Sequence, residues 1–172
     1  MKKHLITLIT LAITYASTAQ VPSYVPTNGL VGWWPFNGNA NDESGNGNNG
    51  MVNGATLTSD RFGLANKAYA FDGASNYISI NDNTTLDVSN VTISAWFWAN
   101  DYGTPEQLSQ GHIVSKREQT GWGTSFQLAL ENTTNVNGIW ATYTIGNNGW
   151  VYYTTNTDLT TQNWIHVVVY AR

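Results

Sequence analysis

The chain has 172 residues, a formal net charge of -4 and no cysteine, and only 10% of its residues are charged while 13% are aromatic. Without cysteine it can form neither a disulfide framework nor a thiolate metal site or nucleophile. The high aromatic and low charged content is the reverse of a disordered chain, and the acidic balance disfavours binding to nucleic acid or anionic lipid.

The first 19 residues have the three-part pattern of a secretory signal peptide. Lys2 and Lys3 precede an apolar run from Leu5 to Ala16, and small residues end the segment at Ala19. We predict cleavage between Ala19 and Gln20. A membrane anchor is the alternative, but the run is shorter than the roughly 20 residues of a membrane span. The sequence therefore predicts a secreted or cell-surface protein whose mature chain has no membrane span.

Residues 20–28 contain Pro22 and Pro26 and lack periodicity, which predicts a linker. The remainder, 29–172, has the length of one domain. Turn-forming dipeptides punctuate it at Asn28-Gly29, Asn37-Gly38, Asn49-Gly50, Asn53-Gly54, Asp72-Gly73, Asn137-Gly138 and Asn148-Gly149. Asn, Asp and Gly accept the positive φ that tight hairpin turns require.

Between these dipeptides, apolar and polar residues alternate with the period of two that is typical of β-strands. The clearest runs are Val91–Ala99, Ser125–Leu130, Ile139–Ile145 and Trp164–Tyr170, and weaker ones are Leu30–Phe36, Tyr77–Ile80 and Trp150–Thr154. Trp164–Tyr170 is apolar on both faces, which predicts a central strand. Many short strands with frequent turns predict an all-β fold, namely a two-sheet antiparallel β-sandwich or jelly roll.

Several segments, in this order, resemble LamG-like domains of the concanavalin A-like lectin/glucanase superfamily. They are the opening GLVGWWPFNGNANDESGNGNNG from Gly29 to Gly50, Arg61-Phe62-Gly63, Ala70–Gly73 with Tyr77-Ile78, Val91–Trp96 and Trp164–Val167. The resemblance implies a concanavalin A-like jelly roll that often carries calcium and often serves as a carbohydrate- or protein-binding module of a larger secreted protein. Because further strands normally follow the Trp-x-His-Val strand in this family, we expect a C-terminally truncated domain that lacks its last strands.

The loop from Asp42 to Gly50 is rich in Asp, Asn, Ser and Gly, which supply the oxygen ligands that calcium prefers. The same composition also suits an ordinary solvated turn, and the loop is not an EF-hand, because Asn53 stands where that loop needs a bidentate Glu. The family resemblance favours structural calcium. The expected ligands are Asp42, Asn46, Asn48 and Asp72.

Aromatic residues are the second candidate for function, because flat rings stack on the C–H faces of sugars. Trp122 lies between two glycines, and Trp150, Tyr152 and Tyr153 follow a turn, so we predict these four as ligand contacts. Loop packing is the competing interpretation for Trp122. The other tryptophans, Trp33, Trp34, Trp96, Trp98, Trp140 and Trp164, lie in strand-like runs and are predicted to pack in the core or between sheets.

An enzyme is disfavoured, since no strand carries the alternating carboxylates of a glucanase and no nucleophile motif accompanies His112 or His166. The sequence therefore predicts a noncatalytic lectin-like module that binds a glycan. An adhesion or protein-interaction module with an extracellular protein partner is one alternative. An accessory fragment of a glycoside hydrolase is the other.

Overall fold

The computed structural model describes residues 21–101, 111–117, 124–132, 137–145, 148–154 and 159–171. The described chain consists of β-strands and one short 3₁₀ turn, η1, and none of its helical segments is long and apolar enough to cross a membrane. The strands are β1 (Gly50–Asn53), β2 (Thr56–Thr58), β3 (Ala68–Ala70), β4 (Tyr77–Ile80), β5 (Val91–Trp98), β6 (His112–Arg117), β7 (Thr124–Asn132), β8 (Asn137–Ile145), β9 (Asn148–Thr154) and β10 (Trp164–Ala171), and η1 is Thr84–Leu86. The predicted all-β class is confirmed.

The largest sheet of the described chain has four antiparallel strands in the order β6-β7-β8-β9. Leu128 lies opposite Ala141 and Gln127 lies opposite Thr142, so these two pairs occupy opposite faces of the sheet. Leu128 is fully buried and, with Ile139 and Ala141, forms the centre of the core.

Strands β5 and β10 pair antiparallel along their whole length, from Val91 opposite Ala171 to Trp98 opposite Trp164. One face of this pair packs against the core, through Ile93, Phe97, Val167 and Val169. The opposite face is exposed. Within the described ranges β10 pairs with β5 alone, so the prediction of a central strand at Trp164–Tyr170 is not supported.

Two smaller antiparallel pairs, β1 with β4 and β2 with β3, come from the first half of the chain. The fold is thus a set of antiparallel sheets, of which two share the core around Leu128. Lys116 on β6 forms ion pairs with Asp87, directly after η1, and with Asp82 at 3.6 Å, which ties the four-stranded sheet to the segment that follows β4.

The predicted strand at Leu30–Phe36 is wrong, because this segment has no strand partner in the described chain. Its backbone groups bind a loop instead. The carbonyl oxygens of Leu30 and Val31 accept hydrogen bonds from asparagine side chains, and that of Trp33 accepts one from the N–H of Glu43. Backbone groups satisfied in this way need no strand ladder.

The predicted turns divide into two groups. Gly29, Gly38, Gly54 and Gly73 have φ between 71° and 81°, the left-handed conformation for which glycine is suited. By contrast, Asn137-Gly138 and Asn148-Gly149 are the first two residues of β8 and β9, and Gly50 begins β1. These three turn predictions are wrong, because strand pairing overrides the local preference of the dipeptide.

Candidate functional site

The carboxylate of Asp42 is the centre of a hydrogen-bond network that closes the Asn-rich loop. Its Oδ1 accepts the backbone N–H groups of Trp33 and Ser44, and its Oδ2 accepts the Ser44 hydroxyl and the N–H of Asn48, all at 2.8–3.0 Å. Burial raises the pKa of Asp42, but the hydrogen bonds from Trp33, Ser44 and Asn48 outweigh it, so the pKa lies below its ordinary value of 3.8.

Asparagine side chains extend this network in two directions. Asn48 is only 2% exposed, and its amide nitrogen donates to the carbonyl oxygen of Val31 and to the Thr85 hydroxyl. Asn46 donates to the carbonyl oxygen of Leu30 and to the Ser44 hydroxyl. The loop is thereby fastened to the segment before it and to η1.

Asp72 belongs to a separate turn that it closes itself. Its Oδ1 accepts the backbone N–H groups of Ala74, Ser75 and Asn76, and its Oδ2 accepts the side chains of Ser75 and Asn76. The backbone hydrogen bonds from Ala74, Ser75 and Asn76 hold the pKa of Asp72 well below its usual range. None of these bonds joins Asp72 to the Asp42 network.

Of the four residues predicted as calcium ligands, Asp42, Asn46 and Asn48 belong to one hydrogen-bond network, whereas Asp72 lies in the separate turn. A carboxylate offers about four lone-pair positions, and those of Asp42 all face N–H or O–H donors of the protein. A cation would have to displace these donors. In the described ranges no group of three or more His, Asp or Glu side chains is placed to hold a metal ion. Calcium binding stays a prediction of the sequence.

A cleft of about 290 Å³ lies beside the network, between residues 47–51 and 80–83. Its lining is rich in amide groups, from Asn48, Asn49, Asn81 and Asn83. It contains no aromatic ring, so it lacks the stacking surface on which the glycan prediction depends.

Three of the four predicted ligand-contacting residues lie on one described strand. Trp122 lies outside the described residues. Trp150, Tyr152 and Tyr153 lie on β9, which confirms the weaker strand prediction there. Trp150 stands opposite Thr144 and Tyr152 opposite Thr142, whereas Tyr153 stands opposite Ala141. Positions 150 and 152 therefore share a face of the sheet, and position 153 is on the other face.

A group of exposed aromatic residues lies elsewhere in the described chain, on the face of β5 and β10 that points away from the core. We call it the aromatic face, and its positions are Thr92, Ser94, Trp96, Trp98, Trp164, His166, Val168 and Tyr170. Trp96 and Trp98 are each 46% exposed. The prediction that these two tryptophans pack in the core or between sheets is wrong. In the sequence, Trp96 and Trp98 alternate with Ile93 and Phe97, which places the two tryptophans on the opposite face of the strand. Their exposure could have been predicted from this alternation.

The rings on the aromatic face contact one another across the two strands. Trp96 stacks on His166 with a centroid distance of 4.7 Å, and Trp98 meets Trp164 edge to face at 6.0 Å. Ser94 and His166 share a hydrogen bond of 2.8 Å. Polar and aromatic groups are thus interleaved on one exposed surface.

Arg61 lies at the border of this face. Its guanidinium carbon is 4.6 Å from the ring centroid of Trp96 and 4.3 Å from that of Phe62, both within range for cation–π attraction. No carboxylate of the described chain forms an ion pair with it. The eight positions of the face itself contain no acidic residue.

Comparisons with protein-family models, with curated proteins and with solved structures found no match for this chain. The LamG-like resemblance therefore stands on the sequence segments alone.

Proposed function

We propose that the chain is an exported, noncatalytic carbohydrate-binding module whose glycan contacts the aromatic face. The observation that carries the proposal is the joint exposure of Trp96 and Trp98 beside Trp164 and His166. Exposed rings grouped on one face of a soluble domain are characteristic of binding surfaces.

A glycan suits this surface because a sugar has both apolar C–H groups and hydroxyls. The indole rings offer flat apolar area, and the indole N–H of Trp98, the hydroxyl of Ser94 and the imidazole of His166 lie among them. The strands hold these groups in fixed register, so less conformational entropy is lost on binding than with loop residues.

The scaffold that we propose is the LamG-like jelly roll indicated by the sequence. Packing of β5 and β10 against the core of the four-stranded sheet supports it, because two sheets facing across one core are the basis of a β-sandwich. The loop closed by the hydrogen bonds of Asp42 belongs to this scaffold, and structural calcium at that loop stays a prediction of the sequence.

Trp98→Ala tests the proposal on a glycan microarray, followed by titration calorimetry with the glycans that bind. We expect about a fivefold loss of affinity, since stacking on one ring contributes on the order of 1 kcal/mol. The matched control is Tyr77→Ala on β4, which removes another exposed ring outside the face. Equal glycan affinity in wild type and Trp98→Ala, or equal losses in both variants, would refute the proposed site.

A protein partner is the second candidate, and Arg61 favours it. Tryptophan, tyrosine and arginine dominate the binding energy of protein interfaces, and all three occur at this surface. Binding to an extracellular-protein array but to no glycan of the microarray, with loss in Trp98→Ala, would assign the face to a protein. The hydrolase-fragment alternative stays a prediction of the sequence.

A further inference from the structure

A closed turn between β2 and β3 holds Arg61 and Phe62 at the border of the aromatic face. The Asp60 Oδ1 accepts the backbone N–H groups of Phe62 and Leu64, both at 2.9 Å. The backbone N–H of Asp60 donates to the Leu64 carbonyl oxygen, and that of Gly63 donates to the Asp60 carbonyl oxygen, both at 3.0 Å. These four hydrogen bonds fix the backbone at Arg61, which limits the conformational entropy that this residue loses when it binds a ligand.

The Arg61 guanidinium contacts two rings but no anion. Its carbon atom lies 4.6 Å from the ring centroid of Trp96 and 4.3 Å from that of Phe62. A ring attracts the charge of a guanidinium but supplies no oxygen acceptor for its N–H donors. In the part of the chain that the structure describes, Arg61 makes neither an ion pair nor a side-chain hydrogen bond. Its N–H groups are therefore available to a ligand.

The charges around Arg61 favour a ligand that carries an anion. None of the eight positions of the aromatic face is Asp or Glu, although the chain as a whole has a formal net charge of -4. The carboxylate next to Arg61 in the sequence is Asp60, which already accepts the two N–H groups that close the turn. An anion that approaches the aromatic face thus meets the Arg61 cation and no carboxylate of the face itself.

We propose that Arg61 makes the aromatic face selective for an acidic glycan, one whose uronic acid carboxylate binds the guanidinium. This inference rests on the proposed function and names the class of glycan. A planar guanidinium matches the two oxygens of a carboxylate through two parallel hydrogen bonds, a fit that a single sugar hydroxyl lacks. Bidentate pairing at Arg61 therefore distinguishes a uronic acid from the corresponding neutral sugar.

The spacing of the two exposed tryptophans suits neighbouring residues of one oligosaccharide. Trp96 is stacked on His166 and has the Arg61 guanidinium over its ring, so its role is to hold the cation. Trp98 lies two residues further along β5, roughly 7 Å away, and supplies the ring for stacking. A sugar stacked on Trp98 therefore directs the next sugar along β5 toward Arg61.

The test measures, by titration calorimetry, the affinity for oligosaccharides of galacturonate, mannuronate and glucuronate, each paired with its carboxyl-reduced form. We expect at least one uronate oligosaccharide to bind about five- to tenfold more tightly than its reduced form, because an exposed bidentate pair is favourable but screened by solvent. The difference should shrink when the salt concentration is raised from about 50 mM to about 500 mM. Equal affinity within every pair would overturn the proposal.

The variants Arg61→Gln and Lys67→Gln remove the same charge at two exposed positions. Lys67 bonds to Asn37 outside the aromatic face, so its variant is the matched control for net charge. We expect Arg61→Gln to bind both members of a pair equally, with wild-type affinity for the reduced form, which shows that the variant is folded. Lys67→Gln should discriminate as wild type does. Discrimination that persists in Arg61→Gln, or that both variants lose, would overturn the proposal.

Arg61→Lys separates the shape of the guanidinium from its charge. The lysine keeps the positive charge but lacks the planar fork, so this variant should retain only part of the preference for the uronate. A full wild-type preference in Arg61→Lys would show that charge alone attracts the ligand, and bidentate recognition would be refuted.

Two further probes separate an acidic glycan from other anions. Poly-L-glutamate supplies carboxylates without sugar rings, and a sulfated galactan supplies anionic sugars without carboxylates. We expect both to bind more weakly than the best uronate oligosaccharide. Poly-L-glutamate bound as tightly would assign Arg61 to an acidic protein segment, and a tighter sulfated galactan would assign it to sulfate. Either result would overturn the proposal.

The inference and the proposed function fail in different ways. Equal binding of both members of every pair, weakened by Trp98→Ala, retains the proposed function and refutes the role of Arg61. No binding of any glycan by the wild-type protein refutes both.

Discussion

Replacing Asp42 by alanine removes the acceptor of four hydrogen bonds at once. Two of the donors, the N–H groups of Trp33 and Asn48, are partly buried and would lose their partner. The N–H and hydroxyl groups of Ser44, whose bonds to Asp42 are also partly buried, would lose their partner as well. The loop between the Trp33 segment and β1 should therefore loosen although no apolar group is removed.

The cost can be estimated from these two backbone donors. A hydrogen bond to a charged group contributes about 1.5–3 kcal/mol, and an unsatisfied buried donor costs about 1–3 kcal/mol. Because Asp42 is itself partly exposed, screening by solvent reduces these values. We expect Asp42→Ala to lower the free energy of unfolding by about 2–4 kcal/mol, which corresponds to a fall of about 5–15 °C in melting temperature.

The pH dependence follows from the lowered pKa of Asp42. A carboxylate whose pKa is lower in the folded protein stabilises the fold above its unfolded pKa, about 3.9, and loses this effect as the pH falls through the folded value. The difference in unfolding free energy between wild type and Asp42→Ala should be constant from about pH 5 to 8 and should shrink below about pH 4.

Urea unfolding followed by tryptophan fluorescence measures both effects. The control is Asp60→Ala, because the Asp60 carboxylate also accepts two backbone N–H groups, those of Phe62 and Leu64, but in an exposed turn. The control should cost less than about 1 kcal/mol. Equal losses in the two variants, or a difference from wild type that is independent of pH down to pH 2, would refute our account of the Asp42 network.

Two further predictions concern the same region. Gly50→Ala should destabilise by about 1–3 kcal/mol in urea unfolding, because a Cβ there would lie 2.7 Å from the Ile78 Cγ2 and 3.0 Å from the Ala40 carbonyl oxygen; an unchanged midpoint would show that Ile78 moves aside freely. If the Asp42 loop binds calcium as the sequence predicts, the melting temperature should be higher in calcium than in chelator, and Asp42→Ala should abolish the difference. Equal melting temperatures in calcium and in chelator would refute the calcium site.

Local patterns in the sequence determined the strands and their faces. The alternation along Val91–Ala99 and Trp164–Tyr170 predicted β5 and β10 and separated Trp96 and Trp98 from Ile93 and Phe97. Side chains alternate between the two faces of any strand, so the residues that share a face can be predicted from the local sequence without knowledge of the fold. The same reasoning failed at Leu30–Phe36, where the backbone groups bind a loop rather than a neighbouring strand.

Only the tertiary structure decided which of two opposite faces is buried. Both faces of Trp164–Tyr170 are apolar. The face with Val167 and Val169 is buried because it packs on the core around Leu128, which residues distant in the chain form. The same holds for function. The sequence identified Asp42 but could not show that hydrogen-bond donors surround its carboxylate, and nothing local to Gln127 reveals that its Nε2 is buried without a hydrogen-bond partner. Burial and partner choice depend on contacts between distant segments, which periodicity and composition do not encode.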